Sequence, residues 1–525
     1  MPSFDCLAPM SEMPMPTMPM TPVSSESHTA LPVTPCPPAT GFPKRVHLIG
    51  AGGAGVSGLG RILAARGVRV SGHDRARSPM LAALHDLGLA ITLGDSLAEH
   101  LPADAELVVR SAAVPSDDPQ LRAALARGTP VWKYAEALGH LCPAGRTLAV
   151  AGTHGKTSSS WMLWHALEGL GALLRAPVTG ALIGGTCRRL RTNALAGHKA
   201  GLFCVEACEY DRSFLQLAPL GAIVTNVEED HLDYYGTFEA IKVAFARFAD
   251  RVSPDGLLVL GRDVPPEVEF ASRATVWRLG RELEVELLSE TRGAFCVRLL
   301  GPGWATPPFQ LAIPGHFSVE NAACALALAI GISARRARVE PSAIAAAAAQ
   351  GIERFAGVER RFEPWGSVTG SVTGGVTGGA GEVHVVHDYA HHPTEVRVTL
   401  EAARRAYPRV PLHVLFQPHQ HSRTARFLEE FAEALRFADH VVVAEVYGAR
   451  VHREGESRAG AADLVAALAR RGVAAEEGGA PARACERFVA ALPTAAAAFV
   501  LGAGDIDGVK DSLLERLGLR AAAGR

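Results

Sequence analysis

The chain has 525 residues, of which 48% are hydrophobic and 20% are charged, with a formal net charge of -2 at pH 7. This length is too great for one hydrophobic core and predicts about three domains. The near-neutral charge argues against a nucleic-acid partner and against adsorption to an anionic membrane. The nine cysteines are scattered and lack a paired zinc-binding spacing, so a reducing cytoplasm is the expected compartment.

The N-terminal segment, residues 1–43, repeats Met-Pro pairs and has neither a cationic start nor an uninterrupted apolar stretch. It is therefore not expected to be a signal peptide. Proline at this density disfavours helix and sheet, so the segment is predicted to be disordered. No later stretch is apolar over the length of a membrane span, and no membrane insertion is expected.

Residues 44–143 are predicted to form a first α/β domain. A strand at 46–49, a glycine loop at 50–58, a helix and a strand at 68–71 make a βαβ unit. The glycines permit close approach to a diphosphate, and Asp74 after the second strand strengthens the likeness to a dinucleotide fingerprint. NAD is one candidate among several diphosphate-linked nucleotides, and a tight turn without a ligand is the alternative.

Residues 144–362 are predicted to form a central α/β domain that begins with a phosphate grip. An apolar run turns through Gly152 and Gly155 into Lys156-Thr157 at a predicted helix start. This arrangement directs backbone N–H groups, a helix N-terminus and a lysine charge at one spot. The Thr157 hydroxyl is placed to ligate a phosphate-bound Mg²⁺, although Val150 stands where the full P-loop pattern has glycine. An ordinary strand, turn and helix is the alternative.

Two further candidate metal ligands follow predicted strands of this central domain. Glu206 ends the strand at 202–206, and His231 lies in the acidic segment 226–233 after the strand at 222–225. The carboxyl ends of parallel strands form the ligand-binding edge of a sheet, so these side chains could hold a second Mg²⁺ beside a nucleotide. A solvated acidic loop is an equal alternative for 228–233.

Residues 363–525 are predicted to form a third α/β domain. Its first part contains a low-complexity loop at 366–381, and the alternating strands and helices follow that loop. Histidine-rich segments at 387–395 and 416–424 each follow an apolar strand. Zinc is disfavoured there, because the adjacent His391 and His392 are expected to point in different directions and no cysteine or third ligand has suitable spacing. Direct contacts with anions are favoured instead, with Arg423 as a planar fork for carboxylate or phosphate.

Seven motifs occur in a fixed order, at 50–58, 151–157, 230–236, 355–362, 388–395, 416–419 with 422–424, and 501–505. Together they resemble the Mur ligase family over residues 45–517. The resemblance implies a Rossmann-like UDP-binding domain, a central P-loop ATPase-like domain and a C-terminal Rossmann-like domain. It also implies that the first glycine loop binds the diphosphate of a UDP-sugar and not NAD.

The implied reaction is ATP-dependent joining of L-alanine to the muramyl carboxylate of UDP-N-acetylmuramate through an acyl phosphate, in peptidoglycan precursor synthesis. The reaction is expected to take place in the cytoplasm and to require Mg²⁺. The protein is expected to be a monomer or a weak homodimer. The resemblance implies catalytic roles for Lys156, His231, His391 and Arg423, and metal ligation by Thr157, Glu206 and His231. It implies contacts with ATP for Gly152, Thr153, His154, Gly155, Lys156, Thr157, Ser158, Asn321, Arg361 and Asp388. It implies contacts with the other substrates for Gly52, Gly53, Ala54, Gly55, Asp74, Ser111, His391, His419 and Arg423.

Three segments depart from the usual family pattern and leave the amino-acid specificity open. Residues 316–318 are His-Phe-Ser where relatives usually have Arg-His-Asn, and Gln420 replaces an arginine. Residues 206–211 keep the first glutamate but alter its neighbours. The nearest alternative is a ligase that attaches a preformed peptide to the same sugar nucleotide. A dehydrogenase and a non-catalytic nucleotide-binding protein are the remaining alternatives.

Overall fold

A computed structural model describes residues 41–369, 382–448 and 458–518. Residues 1–40 of the predicted disordered segment lie outside the described residues. The predicted domain boundaries at 143/144 and 362/363 remain predictions. Three separate parallel sheets are present among the described residues, which confirms the predicted three-domain α/β architecture.

The first sheet lies within the predicted UDP-binding region. Its strands are β1 Arg45–Ile49, β2 Arg69–Asp74, β3 Ala90–Leu93, β4 Leu107–Arg110 and β5 Val131–Lys133, and the helices are α1 Ala54–Ala65, α2 Pro79–Asp86, α3 Pro119–Ala126 and α4 Tyr134–Leu141. All strands are parallel, in the order β3-β2-β1-β4-β5. Two sequence-based boundaries were wrong: α1 begins inside the predicted loop at 50–58, and β2 extends to Asp74.

The central sheet has strands β6 Thr147–Ala151, β7 Gly180–Cys187, β8 Thr192–Leu195, β9 Phe203–Glu206, β10 Gly221–Val224, β11 Leu257–Leu260 and β12 Thr275–Arg278. Their order is β12-β11-β10-β6-β9-β7-β8, with β8 antiparallel at the edge. The helices are α5 Lys156–Leu174, α6 Leu232–Tyr235, α7 Phe238–Asp250, α8 Pro266–Ala271, α9 His316–Arg336 and α10 Pro341–Ile352. A small antiparallel sheet contains β13 Glu284–Thr291, β14 Ala294–Gly301, β15 Trp304–Ala305 and β16 Phe309–Leu311.

Helix α9 corrects the expectation that no stretch is apolar over the length of a membrane span. By length and composition it could cross a membrane, but 83% of its apolar window is buried inside the protein. It packs with α5 and α10 in one hydrophobic cluster on the central sheet. Its apolar composition is therefore explained by its position in the core.

The third sheet has strands β17 Glu363–Thr369, β18 Glu382–Asp388, β19 Leu412–Phe416, β20 His440–Ala444, β21 Ala474–Gly479 and β22 Ala496–Leu501. Their order is β17-β18-β22-β19-β20-β21, and only β17 is antiparallel to its neighbour. Helices α11 Pro393–Ala406, α12 His421–Arg426, α13 Leu428–Leu435, α14 Ala461–Arg470, α15 Pro481–Ala491 and α16 Lys510–Arg516 accompany it. The loop predicted at 366–381 was wrong for 366–369, which belong to β17, and its remaining residues lie outside the described part.

Short 3-10 helices complete the described elements, at Ala98–His100, Tyr210–Gln216 and Ile506–Val509. The second of these follows β9 directly and includes two residues, Asp211 and Arg212, with positive φ. Directly before this bend, Glu209 contacts Lys156 at the start of α5.

Candidate functional site

The phosphate loop lies where the sequence predicts it, between β6 and α5. Gly152 has φ +139° and Gly155 has φ +78°, conformations that L side chains rarely adopt. A Cβ on Gly152 would overlap the Thr225 hydroxyl, and a Cβ on Gly155 would lie 2.8 Å from Asn321 Oδ1. Both glycines are therefore required by backbone geometry and by close packing.

We expect Gly152→Ala to disrupt this loop. Backbone strain of this kind costs about 1–3 kcal/mol, and the overlap with Thr225 must be relieved by moving the loop. Nucleotide affinity measured by calorimetry should fall at least about tenfold, with a lower Tm. Gly171→Ala is the matched control, because Gly171 lies in α5 with open space around its Cα. Unchanged nucleotide binding in Gly152→Ala would contradict a phosphate-binding loop.

Lys156 points back into the loop. Its Nζ donates to Gly152 O at 2.6 Å and Thr153 O at 2.9 Å, and contacts the Glu209 carboxylate at 2.9 Å. Burial by itself would lower the pKa of Lys156, but the carboxylate of Glu209 outweighs it and the pKa is raised. Lys156 is therefore a fixed positive charge beneath the loop.

Glu209 is a site residue that the sequence reasoning did not single out. It is 3% exposed, and its Oε1 lies 3.5 Å from His231 Nε2. Burial opposes ionisation of Glu209, but the charge of Lys156 holds its pKa below the ordinary value. The signal available in the sequence was its position three residues after Glu206, on the segment that follows a central strand.

Two of the predicted magnesium ligands, Glu206 and His231, lie near the charges of Lys156 and Glu209. Glu206 and Glu209 both raise the pKa of Lys156, and Glu206 Oε2 accepts a hydrogen bond from Gly184 N at 2.8 Å. His231 has a buried Nδ1 without a hydrogen-bond partner among the described residues. Carboxylate and hydroxyl oxygens suit Mg²⁺, whereas an imidazole is a softer ligand. By donor chemistry, the Glu206 carboxylate and the Thr157 hydroxyl fit Mg²⁺, whereas the His231 imidazole fits it less well.

A cavity of about 130 Å³ opens above the phosphate loop. It lies between the carboxyl edges of the central and third sheets, and the apolar side chains Ile313, Phe317 and Phe355 form part of its wall. Predicted nucleotide-binding residues from distant parts of the chain line it together: His154, Gly155, Thr157, Ser158, Asn321, Arg361 and Asp388. Gly152, Thr153 and Lys156 lie outside its lining.

Asp388 and Arg361 are already engaged on the third-sheet side of this cavity. The two oxygens of Asp388 accept hydrogen bonds from Phe362 N at 2.7 Å and Ala390 N at 2.8 Å. Burial raises the pKa of Asp388 to about 6. Arg361 Nη1 donates to Glu395 Oε1 at 3.2 Å. Asp388 thus organises the backbone, and each of its oxygens keeps a further lone pair for a ligand.

His154 is at the centre of a polar cluster that joins the two sheets. Its Nε2 lies 3.6 Å from Glu228 and its Nδ1 3.4 Å from Glu395. Thr394 Oγ1 donates to the same oxygen of Glu228, Oε2, at 2.7 Å. Burial favours neutral His154, but the two glutamates outweigh it and raise its pKa to about 9. Burial opposes ionisation of Glu228, but its contact with His154 outweighs burial and lowers the pKa of Glu228 to about 2.

This cluster predicts a pH dependence of stability. Because folding raises the pKa of His154 from 6.5 to about 9, its stabilisation is complete below pH 6.5 and is lost as the pH rises through 9. At about 1.4 kcal/mol per pKa unit, the loss is on the order of 3 kcal/mol. We expect the Tm of the wild type to fall over this window more steeply than that of His154→Gln. Parallel Tm profiles for the two proteins would contradict the assignment.

The same cluster corrects the prediction that no third metal ligand has suitable spacing. Ligand atoms of His154, Glu228 and His392 lie within 4.8 Å of one another. The prediction that the adjacent histidines point in different directions is confirmed, since the His392 ring lies 4.8 Å from His154 and the His391 ring 5.4 Å from His419. A cation would compete with the proton that the glutamates hold on His154, so we interpret this cluster as an ion-pair network.

The predicted amino-acid-binding residues form a neighbouring group. Burial lowers the pKa of His419 to about 3, and the charges of His391 and Arg423 act in the same direction. His391 Nδ1 lies 3.2 Å from Glu395 Oε2. Beside this group, a cavity of about 480 Å³ is lined in part by His231, Gln420 and Arg423. The structure therefore brings His231, His391, His419 and Arg423 together.

Arg423 has a partner that the sequence reasoning did not predict. Its guanidinium binds the Asp230 carboxylate, and the two side chains are only 8% and 10% exposed. Burial opposes ionisation of Asp230, but Arg423 outweighs it and lowers the pKa of the carboxyl. Next to this pair, Arg426 binds Glu229 at 2.8 Å with about half of each side chain exposed. Residues 228–230 thus hold the third sheet against the central one.

The first glycine loop forms a separate site at the carboxyl edge of the first sheet. Gly52 N donates to Asp74 Oδ2 at 2.8 Å, and a Cβ on Gly50 would lie 2.8 Å from Ser111 Cβ. The structure therefore brings together, at the carboxyl ends of β1, β2 and β4, the predicted residues Gly52, Gly53, Ala54, Gly55, Asp74 and Ser111. Tyr134 was not predicted, but a Cβ on Gly55 would lie 2.5 Å from its ring, so Tyr134 packs directly on the loop.

The protein has three α/β domains. The central sheet carries a phosphate loop, and charged residues that follow strands of the third sheet lie over that loop. These features define a nucleotide-binding multidomain enzyme. The chain belongs to the Mur ligase family. Residues 45–146 match the catalytic domain of that family, residues 150–329 the middle domain, and residues 375–506 the glutamate ligase domain.

Relatives of assigned activity cover most of the chain. The UDP-N-acetylmuramate–L-alanine ligase of Kineococcus radiotolerans is 41% identical over 415 residues, which are 77% of this chain and 82% of that protein. The enzyme of the same name from Acidothermus cellulolyticus is 41% identical over 77% of this chain and 80% of its own length.

Solved structures share the fold. The UDP-N-acetylmuramate–alanine ligase of Thermotoga maritima gives a TM-score of 0.71 at 24% identity, covering 90% of this chain and 98% of that one. A murein peptide ligase from Psychrobacter arcticus gives a TM-score of 0.63 at 22% identity, covering 91% of this chain and 100% of that one.

Proposed function

We propose that this protein is an ATP-dependent ligase that joins L-alanine to the muramyl carboxylate of UDP-N-acetylmuramate in peptidoglycan precursor synthesis. The observation that carries the proposal is the meeting of two groups across the cleft between the central and third sheets. The Lys156 and Glu209 charges lie on one side, and His391, His419 and Arg423 lie on the other. The names of the relatives at 41% identity support this substrate pair.

In this proposal the phosphate loop holds the triphosphate. The first turn of α5, which begins at Lys156, supplies backbone N–H donors, and the Lys156 side chain supplies a positive charge. The N–H groups of Thr153 and His154 instead bind Asn226 and hold the loop in place. Asn321, Arg361 and Asp388 line the rest of the nucleotide cavity. Thr157, Glu206 and His231 would hold Mg²⁺, which offsets negative charge during phosphoryl transfer when it is bound.

A carboxylate is a poor electrophile, so the muramyl carboxylate first attacks the γ-phosphate of ATP and forms an acyl phosphate. The amine of L-alanine then attacks the acyl carbon, and the C–O bond to phosphate breaks, with release of phosphate beside ADP. Lys156 stabilises the charge that is crowded between carboxylate and phosphate. The contacts of residues 228–230 hold the third sheet over the phosphate loop, and this closure would limit hydrolysis of the acyl phosphate by water.

We place the UDP diphosphate at the first glycine loop. Gly52 and Gly53 directly precede α1, and their N–H groups bind Asp74 and Gly50. The donors for a diphosphate are therefore the backbone N–H groups of the first turn of α1, from Ala54 and Gly55 onward. Asn193 of the central domain donates to Ala54 O at 2.8 Å, so the loop is held against the neighbouring domain. This contact would direct the sugar end of the substrate toward the phosphate loop.

Addition of a preformed peptide is the second candidate. Tyr210 favours it, since its ring lies 5.2 Å from His231 at the mouth of the site. The cavity of about 480 Å³ beside Gln420 and Arg423 is large for alanine alone. The likeness to a murein peptide ligase, at 22% identity, supports only a common fold, and the more similar relatives favour L-alanine.

The deciding experiment measures ADP release by purified protein with UDP-N-acetylmuramate, Mg²⁺ and a panel of amino acids. We expect release that depends on L-alanine. A tripeptide is tested as acceptor in the same assay. Release with tripeptide but not with L-alanine would replace the first candidate by the second. Nucleotide binding without any acceptor-dependent release would contradict a ligase.

The reaction is placed in the cytoplasm. The seven cysteines within the described residues are all free, which is consistent with a reducing compartment. A monomer or weak homodimer remains a prediction, to be checked by sedimentation equilibrium.

A further inference from the structure

A cavity of about 490 Å³ lies in the central domain on the side away from the phosphate loop. Leu167, Leu170, Leu173 and Leu174 form one wall, along one face of the last turns of α5. The end of α9 contributes Ile332 and Ser333, and the residues just before β6, β7 and β9 close the cavity. It therefore lies at the amino edge of the same sheet whose carboxyl edge carries the phosphate loop.

Arginines surround the mouth of this cavity. Arg146, Arg175, Arg336 and Arg338 line it, and no acidic residue is present among the described residues of its lining. Within the described parts of the chain, none of the four side chains makes an ion pair, and the Nε of Arg146 is buried without a hydrogen-bond partner. Unpaired guanidinium groups around an apolar cavity are expected to attract an anion.

The dipoles of the two helices do not account for this charge. The C-terminal ends of α5 and α9 each contribute about half a negative charge, so together they balance about one arginine. Of the four arginine charges, about three therefore remain unbalanced beside the wall formed by the leucines of α5. Planar guanidinium forks match phosphate oxygens, and the leucines match a hydrocarbon.

We propose that this cavity binds an amphiphilic phosphate, with the phosphate among the four arginines and an apolar chain along the leucines of α5. Leu173 is 40% exposed at its rim, which leaves the apolar wall open to solvent. The volume falls within the range of about 300–1,000 Å³ that is usual for small-molecule sites. Because the phosphate loop lies at the opposite edge of the sheet, this ligand and ATP can bind at the same time.

The test is calorimetric titration of the full chain with decyl phosphate below its aggregation concentration. We expect one site per chain, with affinity at least about tenfold weaker in Arg175→Gln/Arg338→Gln, since the double substitution removes two charge-assisted hydrogen bonds to the phosphate. Arg122→Gln is the matched control, because Arg122 is an exposed arginine of α3 far from the cavity. Inorganic phosphate should bind more weakly than decyl phosphate.

Two further measurements complete the test. Vesicle cosedimentation distinguishes a lipid from a free metabolite as the source of the phosphate, and competition with an ATP analogue distinguishes this cavity from the nucleotide site. Cosedimentation with phosphatidylglycerol vesicles but not phosphatidylcholine vesicles would assign the phosphate to a lipid headgroup, whereas decyl phosphate binding without cosedimentation would assign it to a free metabolite. Equal affinity in the double variant, equal affinity for inorganic phosphate, or competition by a non-hydrolysable ATP analogue would each overturn the proposal.

Discussion

Replacement of Lys156 by alanine is expected to reduce kcat for amino-acid-dependent ADP release by about 10²- to 10³-fold, the usual effect of removing one preorganised group that stabilises transition-state charge. Lys156 donates hydrogen bonds to the backbone carbonyls of Gly152 and Thr153 in the phosphate loop, and its charge neutralises the buried Glu209. Its removal therefore takes away the proposed contact with the ATP phosphates and also leaves the Glu209 carboxylate in the protein interior without its cation.

The second effect requires its own control. An uncompensated buried charge destabilises a protein by about 3–5 kcal/mol, so Lys156→Ala should also lower the Tm. In Lys156→Ala/Glu209→Gln the unpaired charge is gone, and we expect the Tm to recover while kcat stays low. Lys44→Ala, at an exposed lysine, should leave both unchanged. Wild-type kcat in a folded Lys156→Ala protein would exclude the proposed phosphate role.

The second large effect is expected at Arg423. Truncation of one partner of a buried charge pair costs about 2–5 kcal/mol, so Arg423→Ala should lower kcat/KM for L-alanine by about 30-fold or more. Two mechanisms can produce this loss. Arg423 either binds the carboxylate of the amino acid or, through Asp230, positions the third sheet over the phosphate loop.

Asp230→Asn separates these mechanisms, because it removes the charge partner and keeps the arginine. If Arg423 binds the amino acid, Asp230→Asn should leave KM for L-alanine within a few-fold of wild type, while Arg423→Ala raises it. Equal changes in the two variants, in KM for both ATP and L-alanine, would assign Arg423 to positioning alone. Arg426→Ala is the matched control, because its exposed pair with Glu229 is worth only about 0–1 kcal/mol.

The phosphate loop could be predicted from sequence because its geometry is local. Gly152, Gly155 and Lys156 are within five residues, and a turn between a buried strand and a helix fixes their positions. The alternation of apolar strands with helices likewise predicted three α/β regions. Errors arose where short-range signals conflict, as at 50–58, where glycines indicated a loop but α1 begins at Ala54.

The partners of the site charges could not be predicted in this way. Lys156 and Glu209 are 53 positions apart, and Asp230 and Arg423 are 193 positions apart. No local pattern states which carboxylate will meet which cation after the sheets have packed. The interpretation of Arg423 as a free fork for substrate was made without Asp230, which binds Nη2 of that guanidinium in the folded protein. Nη1 of Arg423 is buried without a hydrogen-bond partner among the described residues.

By itself, the sequence determined the family motifs, the α/β class and the position of the phosphate loop, because these depend on residues close together in the chain. Only the tertiary structure decided that His154 bridges the central and third sheets between Glu228 and Glu395. Only it gathered four arginines at the far edge of the central sheet. The physical reason is that charge, burial and pKa depend on neighbours in space, which the packing of sheets and helices selects.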